Sequence, residues 1–237
     1  MWTTLCLACN RGVMRSRALN YRLVGFLGVG AWILFWTTSV LLGSFRPSYS
    51  HVVNTISELG AVGTPYAIDW NILGFIIPGT LLGIVGAVIV RTVMPKPSTL
   101  RTVATLLLVV SGLGVAGQGL MPADMVNGVA DITSTSTRAH FICSLISGAA
   151  WAVGALMLVG PMKRNPSWRG LHIVSALLVL LTLVASLTLR GIVPDGLAQR
   201  IGDAFFCAWF VVMSLKLVRL EKKPPGTIHS VEGGGPV

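Results

Sequence analysis

Six long apolar runs, separated by short polar connections, dominate the pattern of the chain. Each run has about 20 residues, the length that an α-helix needs to cross the roughly 30 Å hydrocarbon core of a bilayer. The runs are Leu23–Gly43, Ala67–Val90, Thr102–Met121, Ala139–Val159, Leu171–Leu189 and Arg200–Val218. This pattern predicts an all-α, polytopic membrane protein with six transmembrane helices.

The polar connection Arg46–Asn71, between the first two runs, differs from an ordinary linker. Four of its polar residues recur at the spacing i, i+3, i+4, i+7 that lines one face of a helix: His51, Asn54, Thr55 and Glu58. Gly60, Gly63 and Pro65 then break the helix. The spacing predicts a short helical outer segment with a titratable face between helices 1 and 2.

Composition supports the membrane class and excludes others. Of the 237 residues, 53% are hydrophobic and 11% are charged, and the mean hydropathy is +0.77. The net charge of +10 does not indicate nucleic acid, because the basic residues form small groups beside apolar runs. Cys6 and Cys9 form a single CxxC without a second pair, and Cys143 and Cys207 lie within apolar runs as small core residues.

The chain divides into three parts. Residues 1–21 are a basic N-terminal segment, residues 22–218 are the six-helix membrane domain, and residues 219–237 are a Pro/Gly-rich tail predicted to be disordered. A second methionine, Met14, leaves open whether translation starts at Met1 or there.

Three local signals refine the spans. Pro78 and Gly79 predict a kink in the second, and Gly160 with Pro161 predict the end of the fourth. The third span carries glycines at four nearby positions, Gly112, Gly114, Gly117 and Gly119. Glycines at such spacing indicate close helix packing.

The distribution of basic residues predicts the orientation. Fourteen of the 18 lie in the two terminal segments and in the connections after the second and fourth spans. The other four lie on the opposite side, at Arg46, Arg138, Arg190 and Arg200. The positive-inside rule then places both termini in the cytoplasm, and an even number of spans agrees with this, because it requires both termini on the same side.

Titratable groups concentrate on the predicted outer side. The even-numbered spans begin there with polar residues, Asp69 and Asn71, Arg138 and His140, and Arg200 and Asp203, and the third span adds Gln118 near its outer end. Ionisable groups at this depth in a membrane are costly and normally face a partner or a wet cavity. These residues, with the His51–Glu58 segment, are therefore expected to line one cup open to the outside.

Three stretches carry a family resemblance. They are SHVVNTISELGAVGTPYAIDWNILGF at residues 50–75, the Arg138–His140 start of the fourth span, and GLAQR at residues 196–200. Together they resemble a six-helix membrane family described as domain of unknown function 998, over roughly residues 22–218. The resemblance implies a six-helix membrane fold and brings no established reaction.

Two functional classes fit these residues. The first is an outer-leaflet enzyme acting on a lipid or apolar substrate with a polar head. In it His51 or His140 is the base or ligand, Glu58 and Asp203 are acids or charge partners, and Arg138 and Arg200 hold the head group. Asn54, Asp69 and Gln118 complete the expected binding set. The second class is a non-catalytic membrane protein: a small transporter, a lipid-binding protein or an accessory subunit. Against a transporter, no ionisable residue lies near the centre of a span, where its site would need one.

Some of these residues can also have purely structural roles. The His51–Glu58 segment can be an interfacial cap whose polar face meets water, and Arg200 and Asp203, at i and i+3, can simply pair with each other. No HxxxH or HExxH motif is present, so no metal site is predicted, although several of the candidates are potential ligands. Membrane lipids are the expected partners. The cofactor and the oligomeric state stay open.

Overall fold

Six helices long and apolar enough to cross a membrane make up the fold. The computed structural model describes residues 20–126 and 129–220. The spans are α1 (Tyr21–Ser44), the second span Ala67–Val93, α4 (Thr99–Leu120), α5 (Thr135–Arg164), α6 (Leu171–Thr188) and α7 (Asp195–Leu220). The second span consists of α2 (Ala67–Trp70), a π-helical turn (Asn71–Ile76) and α3 (Ile77–Val93). The predicted all-α membrane fold is confirmed.

Two small elements lie in the connections. A 3₁₀ helix, Ile56–Gly60, precedes the second span, and β1 (Met125–Val126) pairs antiparallel with β2 (Val129–Ala130) before α5. The N-terminal segment with Cys6 and Cys9, and the predicted tail, lie almost entirely outside the described residues.

Consecutive spans are neighbours, and the last one packs against the first. The second span lies between α1 and α4, α5 follows α4, and α6 lies between α5 and α7. Because α7 also packs along α1, the six spans form a closed ring. We call the end that carries residues 45–66, 121–134 and 189–194 the polar end, and the opposite end the basic end.

The second span is irregular near the predicted position, whereas the predicted end of the fourth span is wrong. The irregularity of the second span is the π-helical turn just before Pro78, where the N–H of Ile77 donates to the carbonyl of Ile72. The helix α5 does not end at Gly160 and Pro161 but continues to Arg164. Pro161 removes a single N–H donor, and the ladder resumes beyond it with the N–H of Asn165 donating to the Pro161 carbonyl at 3.0 Å.

The glycines of α4 mark two close helix crossings, as predicted. A Cβ on Gly112 would lie 2.4 Å from the backbone N of Gly83 in the second span. On another face, a Cβ on Gly114 would lie 2.8 Å from the carbonyl oxygen of Cys143 in α5. Small residues at such crossings let backbones approach and maximise van der Waals contact, which is the main attraction between helices in lipid.

Aromatic rings fill the centre of the ring of spans. Edge-to-face contacts and one tilted contact connect α1, α5 and α7, with centroid distances from 4.8 to 6.2 Å, through the rings of Trp32, Phe206, Trp151, Trp209 and Phe210. Such pairs are favourable beyond their buried area. The aromatic cluster fixes how the three helices face one another at mid-depth.

Candidate functional site

The connection after α1 is docked onto the start of α7. We call residues 46–60 the docking segment. The N–H groups of Gly196 and Leu197 donate to the carbonyls of Val53 and Val52, at 3.1 and 2.9 Å, and the Gln199 side-chain oxygen accepts from the N–H of Ile56 at 2.8 Å. The first N–H groups of a helix have no partner within the helix, so the docking segment satisfies them.

Gly196 is required by this contact. A Cβ at that position would lie 2.3 Å from the carbonyl oxygen of Asn54, closer than any relaxed structure permits. The GLAQR stretch therefore has a structural explanation: its glycine, its glutamine and its arginine each contact the docking segment.

Arg200 is the centre of the docking contact. Its Nη1 donates to the carbonyls of Asn54 and Gly196, at 2.8 and 2.9 Å. Its Nη2 donates to the Tyr49 hydroxyl at 2.5 Å and to Nδ1 of His51 at 3.1 Å. Burial, and then the positive charge of Arg200, lower the pKa of His51, so its imidazole is neutral and accepts this hydrogen bond at neutral pH.

Glu58 is bound within the docking segment itself. Its Oε1 accepts from the N–H and the hydroxyl of Thr55, at 2.7 and 3.0 Å, and its Oε2 accepts from the Asn54 amide at 2.7 Å. Thr55 and Glu58 form a capping box at the start of the 3₁₀ helix. Arg46 adds a hydrogen bond to the Glu58 carbonyl at 3.0 Å. The carboxylate is thus a structural acceptor.

The docking segment does not form the single helix that was predicted over His51–Glu58. A turn closes with the N–H of Asn54 donating to Ser50, Thr55 is extended at φ −69° and ψ 156°, and a 3₁₀ helix follows. The capping box favours this break. The N–H of Thr55 donates to the Glu58 carboxylate, so it does not need the backbone carbonyl that a continuous helix would offer it. His51 therefore turns to Arg200, while Asn54, Thr55 and Glu58 form their own network.

A cavity of about 490 Å³ lies below the docking segment, within the ring of spans. Its wall is mostly apolar and aromatic, and Ile56, which is fully buried, covers it at the polar end. The polar side chains that line it are Gln118, Ser144, Ser147, Thr182, Ser186, Arg190, Gln199 and Asp203. Small-molecule sites in proteins have this size and this mixture of apolar wall and few polar groups.

Two of the predicted site residues, Gln118 and Asp203, line this cavity without a side-chain hydrogen bond. In the part of the chain that the structure describes, neither the Gln118 amide nor the Asp203 carboxylate makes a hydrogen bond, and Asp203 makes no ion pair. Arg200, one turn away, is directed to the docking segment, so the i, i+3 pair considered from the sequence does not form. Polar groups held in a membrane cavity without hydrogen bonds from the protein favour a bound molecule or water.

His140 is a structural residue in this arrangement. Its Nδ1 lies 3.0 Å from the carbonyls of both Gln118 and Met121, at the end of α4. Carbonyl oxygens only accept, so Nδ1 carries a proton and satisfies the end of that helix. His140 packs edge-on against Phe75 at 5.7 Å and does not line the cavity.

Two predicted binding residues lie outside the cavity. Asp69 is exposed in the first turn of α2. Arg138 is exposed at the start of α5, where its Nη2 donates to the Thr133 carbonyl at 2.9 Å. Both belong to the polar end but neither contributes to the wall of the cavity.

Sequence reasoning missed Gln199, Arg190 and Ile56 as site residues. Of these three, Gln199 could most easily have been predicted from the sequence, because it lies next to the predicted site residue Arg200 in the GLAQR stretch. For Arg190, the only sequence signal was its position at the end of the fifth span. Ile56 is apolar, and nothing in the pattern distinguishes a residue that covers a cavity from one in a core.

A second depression lies at the basic end. Its volume is about 640 Å³, and it is lined by Gly160, Lys163, Arg164, Arg169 and His172. It is wide open and lined largely by exposed basic side chains, so it is a surface groove and not an enclosed site. Among residues 20–126 and 129–220, no three His, Cys, Asp or Glu side chains are grouped so as to hold a metal ion.

The ring of six apolar spans with its internal cavity defines an integral, multi-pass membrane protein. Its sequence matches the family model described as "Protein of unknown function (DUF998)" over residues 27–216. The chain therefore belongs to that family, as its three characteristic stretches indicated. No curated protein and no solved structure matches it.

Proposed function

We propose that the protein binds an apolar molecule with a polar head in the cavity, and that the polar end faces the outside of the cell. The orientation follows from the excess of basic residues at the other end and places both termini in the cytoplasm. The observation that carries the binding proposal is that Gln118 and Asp203 line a mostly apolar cavity and make no side-chain hydrogen bond within the described residues.

Binding is a better account of this geometry than catalysis. His51, Glu58 and His140, the sequence candidates for acid-base chemistry, are all engaged in hydrogen bonds that hold backbone or neighbouring side chains. Asp203 alone faces the cavity, without a base or nucleophile hydrogen-bonded to it in the described residues. General acid-base catalysis needs a positioned donor or acceptor within reach of the substrate, and nucleophilic catalysis needs a paired base.

The shape of the cavity also favours a binding site over a transport pathway across the membrane. The cavity ends at mid-depth against the aromatic cluster, where Trp151 is 1% exposed. A transporter site would need a route to the basic end, and the buried rings of Trp209 and Phe210 occupy the interior beyond it.

The test is identification of the molecules that co-purify with the protein. Wild type, Asp203→Ala and Asp69→Ala are purified in parallel, and their extracts are compared by mass spectrometry with the bulk membrane lipids. We expect one or a few species enriched in wild type and in Asp69→Ala, the matched control at the same end, and depleted in Asp203→Ala. Extracts of wild type with the composition of the bulk membrane would refute the proposal.

A further inference from the structure

The wall of the cavity is closed on one side and open on the other. The residues that α1 and the second span contribute, Trp32, Phe35 and Phe75, are buried. By contrast, Leu145 of α5 and Leu187 of α6 line the same cavity and are 73% and 78% exposed. The cavity therefore reaches the lipid-facing surface between α5 and α6.

Two stripes of residues flank this opening. On α5 the stripe is Phe141, Ser144, Leu145 and Gly148, and on the other side it is Leu183, Ser186 and Leu187 of α6 with Arg190 just beyond the end of that helix; all eight line the cavity and are exposed. Seven residues along a helix rise about 10 Å, most of the roughly 15 Å depth of one leaflet. The opening is thus long enough for part of an extended hydrocarbon chain.

Polarity changes along the route from the opening to the interior. The exposed side chains at the mouth are mostly apolar, with Ser144, Ser186 and Arg190 among them, whereas Gln118 and Asp203 lie on the wall within the ring. Arg190 and Arg200 are the cations whose charges act on Asp203. A molecule with a hydrocarbon chain at the mouth and hydrogen-bonding groups inside satisfies both regions.

Entry from water at the polar end is blocked. Ile56 is fully buried above the cavity, and its N–H is held by Gln199. The docking segment is further held through the N–H groups of Gly196 and Leu197 and through Arg200. A water-soluble molecule would have to break these contacts, while a molecule dissolved in the bilayer already faces the open side.

We propose that the ligand is a membrane lipid that enters sideways from the leaflet at the polar end, between α5 and α6. Its head group reaches Asp203 and Gln118, and its acyl chains extend along the deeper apolar wall, past Val115 and Trp151, and through the opening. This inference rests on the proposed binding function and specifies the class of ligand and its route.

The experiment uses a phospholipid that carries a photoreactive diazirine on one acyl chain. The full-length protein is reconstituted in vesicles that contain this lipid, irradiated, and the labelled residues are mapped by mass spectrometry. We expect label at Val115 and Trp151, which line the cavity and are almost buried, in addition to the label that any lipid-facing residue such as Ile33 receives. Label at Ile33 but not at Val115 or Trp151 would overturn the proposal.

A matched pair of variants tests the route. A Cβ at Gly148 or at Gly30 meets no atom within 4 Å, so leucine is accommodated at both; Gly148 lines the opening, and Gly30 lies on α1 outside the cavity. We expect Gly148→Leu to reduce interior labelling by about tenfold relative to Ile33, a change of ~1.4 kcal/mol. Gly30→Leu should leave it unchanged. Equal interior labelling in the two variants would contradict entry between α5 and α6.

A second probe separates this inference from the binding function. A short, water-soluble alkanol with the same diazirine is added to vesicles without the lipid probe. Interior labelling by this alkanol, with none by the lipid, would overturn lateral entry and leave the cavity as a site for a soluble molecule. If instead wild type carries no enriched co-purifying species, the binding proposal itself fails, whichever route the probes take.

Discussion

At the polar end of the bundle, Arg200 and Asp203 lie one turn apart on α7 and face different surroundings. Arg200 donates to the docking segment, and Asp203 faces the cavity. Residues that do not share a partner should contribute independently to stability. The two side chains therefore allow a structural role to be separated from a binding role by mutation.

The first prediction is that Arg200→Ala lowers the free energy of unfolding by about 2 kcal/mol, because charge-assisted hydrogen bonds to half-buried groups are lost. For a chain of this size that is about 4–8 °C in the unfolding midpoint. Asp203→Ala should leave the midpoint nearly unchanged, and the double variant should match Arg200→Ala. The measurement is thermal unfolding in detergent, with the exposed Arg138→Ala as control. Recovery of stability in the double variant would mean that the two residues pair.

At the scale of elements, the important unit is the docking segment together with the first turn of α7. The segment supplies carbonyls to helix N–H groups, and the helix supplies Gln199 and Arg200 in return. These hydrogen bonds hold Ile56 over the cavity. A change that weakens the contact between the docking segment and α7 is therefore expected to open the cavity at the polar end as well.

The second prediction is that Gly196→Ala destabilises the protein by about 1–3 kcal/mol, the cost typical of a side chain forced into a packed contact. Its Cβ would lie 2.3 Å from the Asn54 carbonyl oxygen, so the docking segment must move. Gly148→Ala is the control, since its Cβ meets no atom within 4 Å. Thermal unfolding and protease sensitivity of the docking segment are the measurements. A Gly196→Ala protein as stable and resistant as the control would show that the contact tolerates a Cβ.

At the scale of the whole molecule, orientation in the membrane remains a prediction of the charge pattern. The ring of six spans places residues 94–98 and 165–170 at the basic end and residues 121–134 at the polar end. The positive-inside rule concerns short connections such as these. Which end faces the cytoplasm therefore decides whether the proposed site is reached from the outer leaflet.

The third prediction is that single cysteines at Ser98 and Asn165, in a chain without its native cysteines, are shielded from an impermeant thiol reagent in intact cells. A cysteine at Asp131 should react, because it lies in the connection at the polar end. Permeabilised cells provide the control for reactivity of the first two sites. Labelling of Ser98→Cys in intact cells would reverse the proposed orientation.

The number, order and approximate positions of the spans are properties that the sequence determined by itself. The favourable free energies of transferring the apolar side chains from water into the bilayer add up along a run of about 20 residues. No contact with a distant part of the chain is therefore needed to recognise a span. The glycines of α4 likewise indicated close packing before any partner was known. The capping box of Thr55 and Glu58 is also local, but its consequence, a break in the expected helix, became visible only with the fold.

The composition of the site was decided by tertiary structure. Whether a polar residue at a helix end faces the cavity, water or another segment depends on the rotation of each helix within the ring. Asp69 and Arg138 point outward, His140 satisfies the end of α4, and Arg200 binds a segment about 150 positions earlier in the chain. The hydrogen bond from Ile56 to Gln199 spans 143 positions. Periodicity reports neighbours within one element, whereas contacts between distant segments form only when the spans have packed.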